Sequence, residues 1–113
     1  MSNAIIEIFK EITAIPRCSG THQPFINYMQ ELSKKLGYLC LVDKTNNILC
    51  KKENSTAKLA FQSHYDIVCL SDNCVPQIVQ NDDILSALDS TLGSDNGIGC
   101  SYMIALMYEQ YDG

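Results

Sequence analysis

The sequence predicts an α/β fold, a mixed sheet flanked by helices, over its 113 residues. Three observations lead there. Amphipathic helical periodicity occupies both ends, short apolar and β-branched runs alternate with turn residues in the middle, and 46% apolar content is enough for a core. No repeat, low-complexity tract or linker divides the chain, so residues 1–113 read as a single domain.

The elements follow in order. Ile5, Ile6, Phe9 and Ile12 recur at helical spacing with Glu7, Lys10 and Glu11 opposite, which predicts a short amphipathic helix over residues 3–13, stopped before Pro16. A turn-rich stretch from Pro16 to Thr21 leads into a second helix whose stripe is Phe25, Met29, Leu32 and Leu36, with Thr21 as N-cap and Gly37 closing it. Tyr38 to Val42 and Asn47 to Cys50 read as a β-hairpin turning at Lys44, Thr45 and Asn46. Leu59 to Ser63 is expected as the next strand, delivering His64 and Asp66 at its C-terminal end, where open α/β sheets usually place their chemistry. Val75 to Val79 and Ile84 to Leu88 form a second pair around Asn81-Asp82-Asp83. From Asn96 to about Gln110 a third helix is expected on the spacing of Ile98, Tyr102, Ala105, Leu106 and Glu109, with Gly97 and Gly99 suggesting close backbone packing in its first turn.

The net charge of −5 conceals an asymmetry. All eight Lys and Arg residues lie between Lys10 and Lys58, whereas the part from Asp66 onward carries eight acids and no base. A field of that sign repels phosphate backbones and attracts cations, which argues against nucleic acid and mildly for metal, although a solvated acidic surface has the same composition. Residues 1–10 carry Glu7 and Lys10 and no long apolar run, so neither a secretory signal nor a membrane span is expected and the cytoplasm is the default location. In that compartment the six cysteines should be reduced thiols, most of them core-packing; no C-x-x-C spacing occurs. Cys69 and Cys74 have the chemistry to bind a soft metal, but packing is the simpler expectation. His22, in the loop before the second helix, reads as a surface residue.

Two short motifs carry chemistry. In Ser63-His64-Tyr65-Asp66 an imidazole can face a metal while the Asp two residues on accepts its other ring N–H. Alone, this is a weak signal, and a satisfied surface or core histidine is the better reading of His64. In Gly93-Ser94-Asp95-Asn96-Gly97 an acid opens a helix, and alone Asp95 reads as a cap or a turn residue. Their joint occurrence raises the metal reading, because a carboxylate placed there can bridge two divalent ions about 3.5 to 4 Å apart.

These stretches, with Ile15-Pro16-Arg17-Cys18-Ser19-Gly20 and the longer run Ser90 to Gly99, make the chain similar to the aminoacyl-histidine dipeptidases, cytosolic di-zinc enzymes of the aminoacylase, carboxypeptidase and dipeptidase superfamily. The resemblance covers essentially the whole chain, in order. It implies the N-terminal portion of a zinc-peptidase catalytic domain, with His64 a zinc ligand, Asp66 the catalytic residue that clamps its imidazole, Asp95 the carboxylate bridging both zincs, and a cis Asp95–Asn96 peptide. It also implies dipeptide substrates and zinc as cofactor. Family members go on to a Glu-Glu pair, further acidic and His ligands and a separate lid domain. This chain has no Glu-Glu, and after Asp95 its only acids are Glu109 and Asp112. The expectation is therefore a truncated half-site with weak metal binding and no peptidase activity alone, self-associating through the truncated sheet. A non-catalytic remnant with a binding or assembly role is the alternative.

Overall fold

The computed structural model describes residues 2–69, 75–88 and 90–113. Among them are three helices, α1 (Ser2–Thr13), α2 (Gln23–Leu36) and α3 (Ser94–Tyr108), and four strands, β1 (Tyr38–Val42), β2 (Ile48–Lys52), β3 (Gln77–Asn81) and β4 (Ile84–Leu88). β1 pairs antiparallel with β2 and β3 with β4, and a parallel bridge joins Cys18 to Ile67. None of these helices is long and apolar enough to cross a membrane.

The core sits where α1 packs on α3 and α2 packs on the β1–β2 hairpin. Helix α1 contributes Ile5, Ile8, Phe9 and Ile12, with Phe9 and Ile12 fully buried. Its approach to α3 is close because small polar residues line the contact and satisfy themselves locally: Thr13 Oγ1 donates to the Phe9 carbonyl at 2.6 Å and Ser101 Oγ to the Gly97 carbonyl at 2.8 Å. Helix α2 buries Phe25, Ile26, Met29 and Leu32, and Gly37 ends it in the left-handed region at φ 80°, its N–H reaching the Ser33 carbonyl. The N-cap position falls on His22, one residue after the expected Thr21, and no side chain caps it; Pro24 in the first turn sets the helical φ instead.

In the hairpin, Tyr38, Cys40, Ile48 and Cys50 face the core, while Leu39, Leu41 and Leu49 on the other face are 41, 55 and 52% exposed, an uncovered apolar surface. Asp43 organises the turn. Its carboxylate accepts the backbone N–H groups of Thr45 and Asn47 and both of their side chains, which pulls its pKa down to about 2. Because the folded value lies below that of an unfolded Asp, about 3.9, the stabilisation is present above pH 4 and is lost as pH falls through 2. Asp43→Ala is expected to show a shallower loss of thermal stability between about pH 4 and pH 2 than the parent chain, read by circular dichroism melts across that range.

Two expectations are corrected. Leu59 to Ser63 makes no ladder: among the described residues the backbone groups of residues 58–62 have no hydrogen-bond partner, and Leu59 and Phe61 are 68 and 53% exposed. The composition suits a strand, but the nearest edge, β2, stands across an open groove, and an unpaired strand has no ladder to stabilise it. Along α3 the buried face is Gly97, Cys100, Ser101, Ile104, Ala105 and Met107, and Tyr102 is 56% exposed. Gly97 lies against Phe9 of α1, in keeping with the close backbone packing expected there, while the stripe expected at Tyr102 is displaced.

Candidate metal-binding site

The segment carrying His64 is positioned by side chains on both sides of it. Ser63 Oγ lies 3.3 Å from the Asn96 carbonyl and 3.4 Å from Cys100 Sγ, tying it to α3. The Tyr65 ring stacks on Phe25 of α2 with centroids 4.8 Å apart, and its hydroxyl donates to the Asn46 carbonyl at 2.9 Å. Ile67 is buried and bridges Cys18, with its N–H on the Arg17 carbonyl and its carbonyl accepting the Ser19 N–H. Three anchors on three elements therefore do the work expected of a sheet ladder.

Asp95 sits where α3 begins. Asp95 and Asn96 have non-helical backbone angles and the peptide between them is cis, as the resemblance implied. The regular helix starts after them: the Asn96 side-chain oxygen accepts the Gly99 N–H at 2.9 Å, an N-cap bond to the third helical residue. Asn96 is thus the cap, which leaves the Asp95 carboxylate free and 96% exposed.

The two motifs meet at His64. Its Nε2 lies 3.2 Å from Asp95 Oδ1, and its Nδ1 lies 3.0 Å from the Asp66 carbonyl and 3.4 Å from Asp66 Oδ1. Asp66 thus contacts the imidazole at Nδ1, with its main-chain oxygen nearer than its carboxylate. Ser19 Oγ donates to Asp66 Oδ2 at 2.7 Å, and this bond holds the Asp66 pKa below the ordinary carboxylate value. The Asp66 carbonyl raises the His64 pKa, with both carboxylates adding to the rise.

This arrangement fits a cation. Hydrogen bonding of Nδ1–H to Asp66 leaves the Nε2 lone pair facing a carboxylate oxygen, a pairing of two acceptors that a proton or a metal ion between them makes favourable. Two donors on one tetrahedral zinc at about 2.0 Å stand roughly 3.3 Å apart, close to the 3.2 Å observed. The donor set is short, however: among the described residues no group of three or more His, Cys, Asp or Glu side chains is placed to hold an ion.

Behind the site lies Arg17, fully buried. Its Nε donates to the Ile12 carbonyl at 3.2 Å and its Nη1 to the Tyr65 carbonyl, between His64 and Asp66, at 3.0 Å; Nη2 has no partner among the described residues. Burial lowers its pKa from the usual arginine value. Arg17, Ser19, Ser63 and Tyr65 are supporting residues that the sequence reading assigned no role, although all four lie inside the motifs it quoted. Hydroxyl and guanidinium groups flanking a ligand candidate are the signal that marks them.

Three further residues depart from expectation. Cys18 and Cys69 are joined as a disulfide with Cα atoms 5.7 Å apart, in place of the reduced thiols expected, because the bridge from Cys18 to Ile67 brings the two sulfurs within reach. Cys74 lies outside the described residues; Cys40, Cys50 and Cys100 are free thiols. Burial pushes the Cys50 thiol up to about 11 and also raises that of Cys100. His22 is half-buried, its Nδ1 2.9 Å from the Tyr65 hydroxyl and its ring edge-on to Tyr65, so it braces the segment and is not a free surface group.

No family model matches the chain. Over 92% of its length it is 26% identical to the cytosol non-specific dipeptidase of Escherichia coli (strain K12), spanning 24% of that protein. Its fold superposes on a tripeptidase of Staphylococcus aureus with a TM-score of 0.79 and 21% identity, covering 97% of this chain and 33% of that one. In sequence the chain is similar to part of a dipeptidase and in fold to part of a tripeptidase, which agrees with the resemblance to dipeptidases.

Proposed function

We propose that this chain supplies part of a metal-dependent dipeptidase site, the N-terminal portion of a zinc-peptidase catalytic domain acting in the cytoplasm on dipeptides of the aminoacyl-histidine type. The observation that carries this reading is His64 Nε2 facing Asp95 Oδ1 at 3.2 Å with Nδ1 already committed to Asp66. His64 and Asp95 are the residues that would hold zinc, and Asp66 fixes the imidazole tautomer. Bound zinc supplies polarisation of the scissile carbonyl and acidification of a water. Ser19 keeps the Asp66 carboxylate ionised and oriented, and Ser63 and Tyr65 keep the segment from rotating away from Asp95.

With two side-chain donors among the described residues, the chain is expected to hold zinc weakly and not to cleave dipeptides alone. Isothermal titration with zinc is expected to give weak binding that His64→Ala abolishes and Asp66→Asn weakens about tenfold. Equal affinity for the parent and His64→Ala sinks the assignment, and zinc-dependent cleavage of an aminoacyl-histidine dipeptide by the pure chain overturns the half-site reading.

The exposed Leu39, Leu41 and Leu49 favour a second reading, a binding or assembly role in which copies associate through the uncovered face of β1–β2. A single monomeric species in sedimentation at high concentration counts against it.

A further inference from the structure

The segment that carries Asp66 is fixed to the loop before α2 by two main-chain bonds and one covalent bond. The Ile67 N–H donates to the Arg17 carbonyl at 2.8 Å and the Ser19 N–H to the Ile67 carbonyl at 3.1 Å, which makes the parallel bridge between Cys18 and Ile67. Beside it the Cys18–Cys69 disulfide joins the same two segments across 51 positions of sequence. A bridge of one residue on each side is the smallest unit of a ladder and is marginal without further support. The disulfide gives that support, because a covalent closure leaves no long loop to re-close whenever the two main-chain bonds open.

What the bridge positions is the partner of His64. Ser19 follows Cys18 directly, and its Oγ donates to Asp66 Oδ2 at 2.7 Å. Asp66 in turn meets His64 Nδ1 with its carbonyl oxygen at 3.0 Å and its carboxylate at 3.4 Å, while His64 Nε2 faces Asp95. The disulfide, the Ser19 hydroxyl, Asp66 and the imidazole therefore form one connected row. The other cysteines bear on how lasting the bond is. Cys40, Cys50 and Cys100 remain free thiols, so the chain has no disulfide framework, and a solitary disulfide in a thiol-rich chain of a reducing compartment is usually transient and redox-sensing.

We propose that Cys18 and Cys69 form a reversible redox latch on the metal site, closed by a low-molecular-weight disulfide such as oxidised glutathione and opened by the corresponding thiol. This inference rests on the reading of His64 and Asp95 as metal ligands. In opening, a glutathione thiolate attacks the sulfur of Cys69, which is half-buried where Cys18 is buried; the S–S bond breaks, and Cys18 leaves as a thiolate and takes up a proton. A second glutathione thiolate attacks the glutathione sulfur of the mixed disulfide, releasing oxidised glutathione and the Cys69 thiolate, which is protonated in turn. Two electrons and two protons pass from two glutathione thiols to the protein disulfide, and closing is the reverse. Closed, the latch keeps Ser19 on Asp66 and the imidazole turned toward Asp95. Open, two main-chain bonds alone hold the bridge, and the imidazole loses part of its orientation.

The test uses the 113-residue chain. Mass spectrometry after thiol trapping is expected to find Cys18 and Cys69 joined in oxidised glutathione and both free in reduced glutathione, under native conditions and over repeated cycles. Hydrogen exchange at the Ser19 and Ile67 amides is expected to be about tenfold faster in the reduced chain, with exchange in α2 unchanged. The double variant Cys18→Ser and Cys69→Ser, which lacks the bond and adds no zinc-binding thiolate, is expected to hold zinc about threefold more weakly than the oxidised chain, less than the tenfold or more that loss of a ligand's direct partner costs. Cys69→Ala, at the half-buried position, is expected to do the same. A disulfide that glutathione does not open in the folded chain, or equal exchange and equal zinc affinity with and without it, overturns the latch. His64→Ala separates the two readings. If that variant holds zinc as the parent does, the ligand assignment fails and the regulation falls with it; zinc binding that His64→Ala abolishes but the disulfide leaves unchanged overturns the latch alone.

Discussion

Replacing Arg17 with alanine is expected to lower the folding stability of this chain by about 3 kcal/mol or more and to release the His64 segment. The side chain is fully buried, so its deletion leaves a cavity comparable to those that cost about 2–5 kcal/mol in large-to-small core substitutions. It also orphans the Ile12 and Tyr65 carbonyls, each a loss of about 1–3 kcal/mol where no water replaces the donor. Against this stands a gain, because a buried guanidinium without a carboxylate carries a desolvation penalty of several kcal/mol. The gain explains why the net figure is modest beside the sum of the losses. Arg17→Met separates the two contributions: it refills the volume, removes the charge and leaves the carbonyls unpaired. Urea unfolding is expected to rank the parent most stable, Arg17→Met intermediate and Arg17→Ala least. If Arg17→Met equals or exceeds the parent, the hydrogen bonds to Ile12 and Tyr65 are not what the residue contributes. Hydrogen exchange at Tyr65 and Asp66 should rise in both variants more than exchange in β1, since the Arg17 bonds to the Ile12 and Tyr65 carbonyls tether α1 to the His64 segment.

The sequence made some of this legible and hid the rest for identifiable reasons. Periodicity revealed α1 and α2, because Phe9, Ile12, Phe25 and Met29 recur on one side and all are buried. The hairpin was legible from Thr45 and Asn46 between two β-branched runs, and β3 and β4 from the acidic turn between them. For α3 the glycines pointed to the close packing found at Gly97, but the apolar pattern misled at Tyr102, because the buried face runs through Ser101, which carries no hydrophobic signal. Leu59 to Ser63 has strand composition without a partner, and pairing is a property of a neighbour that local composition does not contain. At the site, the family resemblance implied a common place for His64, Asp66 and Asp95, and their side chains do lie side by side. The disulfide and the Arg17 tether were not legible, since each depends on Ile67 lying beside Cys18, a contact across 49 residues.

The second large effect is expected at the contact between α1 and α3. A Cβ at Gly97 would stand 2.9 Å from Phe9 Cε1 and 3.1 Å from Arg17 Nη2, closer than carbon and nitrogen atoms approach without displacement. Neither neighbour moves freely, because Phe9 and Arg17 are both fully buried. Gly97→Ala therefore gains helix propensity of somewhat under about 1 kcal/mol and loses more to overpacking, typically about 1–3 kcal/mol, so net destabilisation is expected. Gly97→Val is expected to be worse, as a branched side chain meets the same wall. Phe9→Ala, by contrast, empties the wall and costs about 3–5 kcal/mol. The pair is coupled in a way that a double-mutant cycle reads directly. Combining Gly97→Ala with Phe9→Leu, which withdraws the ring edge while keeping the position apolar, should destabilise by less than the sum of the two single changes, with a coupling of about 0.5–3 kcal/mol. Additive effects in chemical denaturation would mean that the helices separate instead of clashing. In that case the Asp95 turn, two residues before Gly97, would shift with α3, and the His64 to Asp95 approach would loosen in the same variants.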